Sequence, residues 1–169
     1  PVHTETLTNV DELNGILEDD IRTAGDRLQG RNPSAQCLMT RWDMHHQSKA
    51  FRMLGNAAIS LAQLLPLATR TNEDGTQNPT QYKVSTSWGL IYNKGQFTNS
   101  HTHWPDTWSW TYCVSGCEQC SPLVFTHANY RVTPTVSTMT IFPGWLHHEV
   151  PTHTCDHERI MIAGNLSSF

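Results

Sequence analysis

The spacing of apolar residues along this chain changes once, and the change divides helices from strands. Before residue 69, apolar side chains recur at intervals of three and four. Val10, Leu13, Ile16, Leu17, Ile21, Ala24 and Leu28 form one series, and Phe51, Leu54, Ala58, Leu61 and Leu65 a second. Such intervals line up on one face of an α-helix. The first series predicts a helix stopped by Gly30, and the second a helix over about residues 47–68 with Pro66 in its last turn. Between them lies a short apolar segment from Cys37 to Trp42. Residues 69–79 (TRTNEDGTQNP) are almost wholly polar and contain the turn dipeptides Asp74-Gly75 and Asn78-Pro79, so they read as an exposed loop. Beyond them the interval drops to two: Tyr82, Val84 and Thr86, Leu90 and Tyr92, then Trp108, Trp110, Tyr112 and Val114. Alternation of this kind sends successive side chains to opposite faces of a strand. Further strands are expected over residues 123–126, 138–142, 146–150 and 159–165. About eight short strands behind two helices predict a mainly β chain, a barrel-like or jelly-roll pair of sheets with the N-terminal helices packed outside. A length of 169 residues suits one domain, with residues 1–70 as helical support and 80–166 as the sheet core.

Charge and hydropathy exclude some partners. A formal net charge of -4 and a pI near 6.2 supply no basic field, and no local basic patch stands out, so binding to nucleic acid by phosphate neutralisation is not expected. The longest apolar stretch, residues 57–68, is interrupted by Ser60, Gln63 and Pro66. It falls short of the roughly 20 apolar residues that span a bilayer, so no membrane segment is expected. No charged-then-apolar leader opens the chain, and a start at Pro1 suits a cytoplasmic protein that has lost its initiator methionine. Five cysteines leave one without a mate, and a reducing compartment disfavours disulfides, so metal binding or burial is the expectation for them.

The histidines carry the chemistry. His101 and His103 stand two apart in an expected strand, so both leave the same face and can share one metal ion. His147 and His148 follow a Phe-Pro-Gly turn in TIFPGWLHHEVP; adjacent strand residues face opposite ways, so only one of the two can join them. Imidazoles suit Fe(II), and three ligands on one face of the ion leave room for a co-substrate and O2.

The stretches GQFTNSHTHWPDTWSWTYCV, IFPGWLHHEVP and ERIMIAGN resemble the 2-oxoglutarate- and Fe(II)-dependent oxygenases related to prolyl 4-hydroxylases, over residues 88–165. The resemblance implies a double-stranded β-helix of the jelly-roll or cupin-like type. It implies iron held by His101, His103 and His148, with 2-oxoglutarate and O2 as co-substrates. It further implies that Arg159, eleven residues after His148, binds the distal carboxylate of 2-oxoglutarate through its planar fork. The implied reaction is hydroxylation of a C–H bond in a peptide, a protein or a small molecule, a prolyl residue being favoured by the family. Two departures from the family pattern are visible. Its usual His-x-Asp or His-x-Glu is here His-x-His, with Asp106 the nearest carboxylate, and a serine or threonine expected two residues after the arginine is Met161. Tyr92, on the strand before His101, is the candidate to replace that hydroxyl. Arg159 could instead form a strand-end ion pair with Glu158 or Asp156.

Two other readings accompany this one: a three-histidine cupin-type dioxygenase that needs no 2-oxoglutarate, favoured by the missing acidic ligand, and a non-catalytic module on the same fold. Trp104, Trp108, Trp110 and Trp145 either wall a substrate cleft or pack in the core. Cys117 and Cys120, a Cys-x-x-Cys in an expected turn, form with Cys155 a candidate structural zinc site, completed by His153 or His157. Cys113, on the strand before, complicates the count.

Overall fold

The computed structural model describes residues 2–27, 34–66 and 68–169. A short strand, β1 (His3–Thr6), precedes helix α1 (Asp11–Ala24). The helix ends earlier than the apolar series suggested, because Gly25 takes a left-handed φ of 69° and its N–H returns to the Ile21 carbonyl at 3.0 Å. Leu28 and Gly30 lie outside the described residues. The apolar segment that follows forms two short strands, β2 (Ala35–Gln36) and β3 (Leu38–Met39). The second helical series forms α3 (Lys49–Ala62), which stops before Leu65 and Pro66 rather than running to residue 68, and a short helix that the spacing did not announce, α2 (Met44–Gln47), precedes it. Ser48 separates them because its hydroxyl accepts the Phe51 N–H at 3.2 Å and so caps α3. Residues 69–79 are exposed as expected, yet they form a hairpin, β4 (Thr69–Thr71) with β5 (Gln77–Pro79), turning at Gly75.

Eight strands follow: β6 (Tyr82–Tyr92), β7 (Phe97–His101), β8 (Trp108–Ser115), β9 (Leu123–Phe125), β10 (Tyr130–Val132), β11 (Thr138–Pro143), β12 (His148–Val150) and β13 (Arg159–Ser168). They form two antiparallel sheets, β1-β11-β8-β13-β6-β3 and β10-β9-β12-β7-β2. Apart from the β9–β10 hairpin, consecutive strands from β6 onward pass from one sheet to the other. As a result β13 slots between β6 and β8, while β12 slots between β7 and β9. This interleaving is a double-stranded β-helix, as expected, with β1 and β10 as strands the apolar spacing did not announce.

Two cores hold it. One lies between the large sheet and the helices and contains Leu17, Ile21, Phe51, Leu54, Trp110 and Ile162. Helix α1 seats closely because Gly89 offers no side chain; a Cβ there would lie 2.4 Å from Ile21. The Tyr112 hydroxyl ties the helix to β8 by donating to Asn14 Oδ1 at 2.6 Å. The second core fills the space between the sheets with Leu90, Tyr92, Phe125, Phe142 and Met161. Of the four tryptophans singled out from sequence, Trp108 and Trp110 are buried, and Trp104 and Trp145 are exposed. No helix among the described residues is long and apolar enough to cross a membrane.

Candidate metal and co-substrate site

The open end of the two sheets gathers three imidazoles. His148 on β12 pairs directly with His101, the last residue of β7. His103 does not continue that strand as expected. It sits in the following turn, where its N–H donates to the Gly144 carbonyl at 2.8 Å and its carbonyl accepts the Asp106 N–H at 2.9 Å. The ring donors of His101, His103 and His148 all lie within 4.8 Å of one another, and the Nε2 atoms of His103 and His148 are 3.2 Å apart. Ligands about 2.0–2.1 Å from an ion and at right angles to one another would be about 3 Å apart, so this spacing fits a shared ion. His147, just before β12, is exposed and packs on His127 at 4.6 Å between ring centroids.

The supports of the rings agree with metal binding. The Asn99 carbonyl lies 2.7 Å from His101 Nδ1, and the Leu146 carbonyl 2.9 Å from His148 Nδ1. Carbonyls only accept, so each Nδ1 keeps its proton and each Nε2 presents a lone pair. His103 Nδ1 meets the Asn165 amide at 3.5 Å. Asn165, buried on β13, is fixed by Ser109 (2.7 Å) and Thr86 (2.9 Å). Both are hydroxyls, which donate or accept equally well, so the amide can turn its oxygen to His103 without losing either bond. Burial lowers all three histidines from their ordinary range: His103 to about 4 and His148 to about 3, with the neighbouring imidazoles adding to the effect, and His101 in the same direction. The site therefore presents neutral donors at neutral pH. Asp106 borders the same cavity, but its carboxylate accepts from Ser85 at 2.7 Å and is not among the clustered donors.

A cavity of about 340 Å³ opens from the imidazoles between the sheets, bordered by Trp88, Tyr92, Thr98, Asn165 and Arg159. Arg159 is only 2% exposed. Its Nε donates to the Ser121 carbonyl at 2.8 Å, and its guanidinium lies over the Tyr92 ring. The two carboxylates that could have paired with it are engaged elsewhere, Glu158 with Arg22 at 2.6 Å and Asp156 with Lys94 at 3.3 Å. Among the described residues Arg159 has no ion pair with a carboxylate. The Tyr92 hydroxyl is bonded to Thr98 Oγ1 at 2.6 Å. Thr98 and Asn165 are two site-lining residues that sequence reasoning did not assign. Thr98 lies three residues before His101 and would by simple alternation face away; an irregularity pairs it with Val150, two residues from His148, and turns it inward.

The three cysteines expected to cluster do so: Cys117 and Cys120 are 3.5 Å apart at sulfur, and Cys155 lies 3.7 Å from each. Cys113 is buried in the core between the sheets and takes no part.

No family model matches the sequence, and no curated protein is similar to it in sequence. Solved structures are similar in three dimensions. The viral collagen prolyl hydroxylase of Paramecium Bursaria Chlorella virus-1, in its 2-oxoglutarate complex, superposes with a TM-score of 0.73 at 12% identity, covering 98% of this chain and 94% of that one. A prolyl-4-hydroxylase of Pseudomonas putida gives 0.69 at 16% identity over 98% and 91% of the two chains. The non-haem α-ketoglutarate-dependent carbocyclase SnoK of nogalamycin biosynthesis gives 0.72 at 11% identity over 98% and 78%. With identities of 11–16%, these likenesses establish one thing, that the chain has the double-stranded β-helix fold of 2-oxoglutarate and Fe(II) oxygenases.

Proposed function

We propose that this chain is a non-haem Fe(II)- and 2-oxoglutarate-dependent dioxygenase that hydroxylates a C–H bond. One observation carries the reading: a buried guanidinium with no carboxylate partner among the described residues lines the same cavity as three clustered, neutral imidazoles. A buried cation without an anion is costly, and an anionic ligand entering that cavity removes the cost. A dicarboxylic keto acid fits both ends, since one carboxylate and the keto oxygen can chelate a metal while the other carboxylate meets the arginine fork.

In this reading His101, His103 and His148 hold Fe(II) through Nε2, and Asn165 orients His103. Arg159 fixes the far carboxylate of 2-oxoglutarate, with Tyr92 beneath the guanidinium and the Tyr92–Thr98 hydroxyl pair beside it. The apolar walls from Trp88, Leu90 and Phe142 keep water from the cavity. Bound iron and 2-oxoglutarate supply the oxidative chemistry: one O2 is consumed, 2-oxoglutarate becomes succinate and CO2, and the substrate C–H becomes C–OH.

The substrate we favour is a prolyl residue of a peptide or protein, on the strength of the likeness to two prolyl hydroxylases. The likeness to a carbocyclase supports a small molecule as the second reading of the substrate. Incubating Fe(II)-loaded protein with 2-oxoglutarate under air, alone and with proline-rich peptides, tests both levels. Succinate formation dependent on Arg159 supports the co-substrate, and peptide stimulation with a mass gain of one oxygen supports the substrate. O2 consumption with a peptide or small-molecule substrate but no succinate would instead favour the 2-oxoglutarate-independent three-histidine dioxygenase.

A further inference from the structure

We propose that Cys117, Cys120 and Cys155, with His153 as fourth ligand, form a second metal site for a thiophilic divalent ion of zinc's class. The ion clips the connection after β8 to the loop before β13.

The geometry is that of a tetrahedral sulfur site. The three Sγ···Sγ distances are 3.5, 3.7 and 3.7 Å. Thiolates bound about 2.3 Å from zinc stand about 3.8 Å apart along a tetrahedron's edges, so one ion fits among all three. A disulfide requires about 2.05 Å and joins two sulfurs, leaving the third with no reason to sit equally close to both. One backbone donor is aimed at a sulfur: the Cys117 N–H donates to Cys120 Sγ at 3.3 Å, in a turn closed by the Cys120 N–H on the Cys117 carbonyl at 3.0 Å.

His153 is fully buried, and its Nε2 lies 3.6 Å from Cys155 Sγ, about a nitrogen–sulfur edge of a tetrahedron; it stands outside the cluster that the three sulfurs form, so it reaches the ion by turning toward Cys117 and Cys120. That nitrogen now meets the His157 carbonyl at 2.6 Å, while Nδ1 accepts the Ser121 N–H at 3.4 Å. Ligation requires the other tautomer, in which the proton moves from Nε2 to Nδ1: Nε2 then exchanges the His157 carbonyl for the ion, and Nδ1 gives up the Ser121 N–H.

The clip has a structural consequence. Ser121, directly after the Cys-x-x-Cys turn, donates its hydroxyl to the Thr152 carbonyl at 3.1 Å and receives Arg159 Nε on its own carbonyl at 2.8 Å. The loop that carries His153 is also pinned to the turn after β6, through Gly95 N–H to His153 O (2.7 Å) and His153 N–H to Gln96 O (2.8 Å). A metal joining Cys117, Cys120 and Cys155 therefore fastens three connections at the end of the sheets where Arg159 emerges. The metal site itself does not depend on the proposed oxygenase activity.

The test is metal analysis of protein expressed without added iron, as wild type, as Cys117→Ser/Cys120→Ser and as His101→Ala/His103→Ala. The expected result is one equivalent of zinc in the wild type that survives the histidine variant and is lost from the cysteine variant, with a lower Tm. Cobalt replacement in the wild type should give thiolate-to-cobalt charge-transfer bands that weaken in His153→Ala. If the cysteine variant fails to fold, a thiol-modifying reagent added to native wild type decides the matter by releasing zinc in step with thiol loss. Folded wild type free of zinc with three freely titrating thiols, zinc that follows the histidines, or a Cys117–Cys120 disulfide under non-reducing mass analysis would each overturn the site.

Discussion

Arg159 and Tyr92 stand directly opposite each other on β13 and β6, and the guanidinium lies over the phenol ring, 4.8 Å from its centroid. The ring receives a cation removed from water and gives its flat face to it. The ring is neutral, however, and leaves the outward fork of the guanidinium for an anion. Arg159→Ala should therefore raise the apparent 2-oxoglutarate constant at least tenfold, since each charge-assisted hydrogen bond contributes about 1.5–3 kcal/mol. Mn(II) affinity measured by calorimetry should stay unchanged, and Arg159→Lys should recover part of the loss. Equal 2-oxoglutarate affinity in wild type and Arg159→Ala would place the anchor elsewhere.

The two adjacent histidines at the start of β12, His147 just before the strand and His148 its first residue, provide an internal control. His148 is buried against His101 and His103, whereas His147 is exposed beside His127. His148→Ala should abolish stoichiometric binding of Mn(II) or Ni(II), and His147→Ala should leave it within about twofold. The reverse order would mean that a different face of the strand holds the ion.

The pH dependence follows from burial. His103 and His148 titrate near 4 and 3 when folded, against about 6.5 in an unfolded chain. Between those values the unfolded chain binds more protons, so the stability of metal-free protein should be fully present above pH 6.5 and be lost as pH falls toward 3. Thermal melts from pH 7 to 4.5 should show this fall, reduced in His148→Leu. At pH 7 the ion meets rings that are already neutral, so calorimetry in buffers of different ionisation enthalpy should detect almost no proton release from His103 and His148.

In the proposed function Asn165 acts on the metal through His103. Its removal in Asn165→Ala frees the ring and leaves the Ser109 and Thr86 hydroxyls without a shared partner. Loss of such a supporting bond costs about 10–100-fold in metal affinity in other sites. The same range is expected here for Mn(II), with Asn165→Gln failing to restore it for lack of room. An unaltered affinity would remove Asn165 from the site.

Gly144 is where the Phe-Pro-Gly turn touches the His103 loop. A Cβ at this position would lie 2.1 Å from the Asp106 carbonyl oxygen, which belongs to the backbone and must itself shift. Gly144→Ala should destabilise the fold by about 1–3 kcal/mol and loosen His103 along with it. Denaturant melts and metal titration of one preparation would read both effects, and a wild-type melt would contradict the close approach.

Much of this site can be read along the chain. The change of apolar interval from three-and-four to two separates α1 and α3 from the strands, because amphipathic period is a local property. The spacing of His101 and His103, the parity of His147 and His148, and the clustering of Cys117 and Cys120 are local for the same reason. Other features depend on which strand neighbours which. His103 leaves the strand and is held by Gly144, forty-one residues later in the chain. Thr98 faces the cavity only because β7 carries an extra residue against β12. Glu158 and Asp156 sit beside Arg159 in sequence but pair with Arg22 and Lys94. Asp106, the carboxylate nearest His103 in the chain, turns to Ser85. In each case a contact between distant segments outcompetes the nearest neighbour, and register between strands, which no local pattern encodes, decides the outcome.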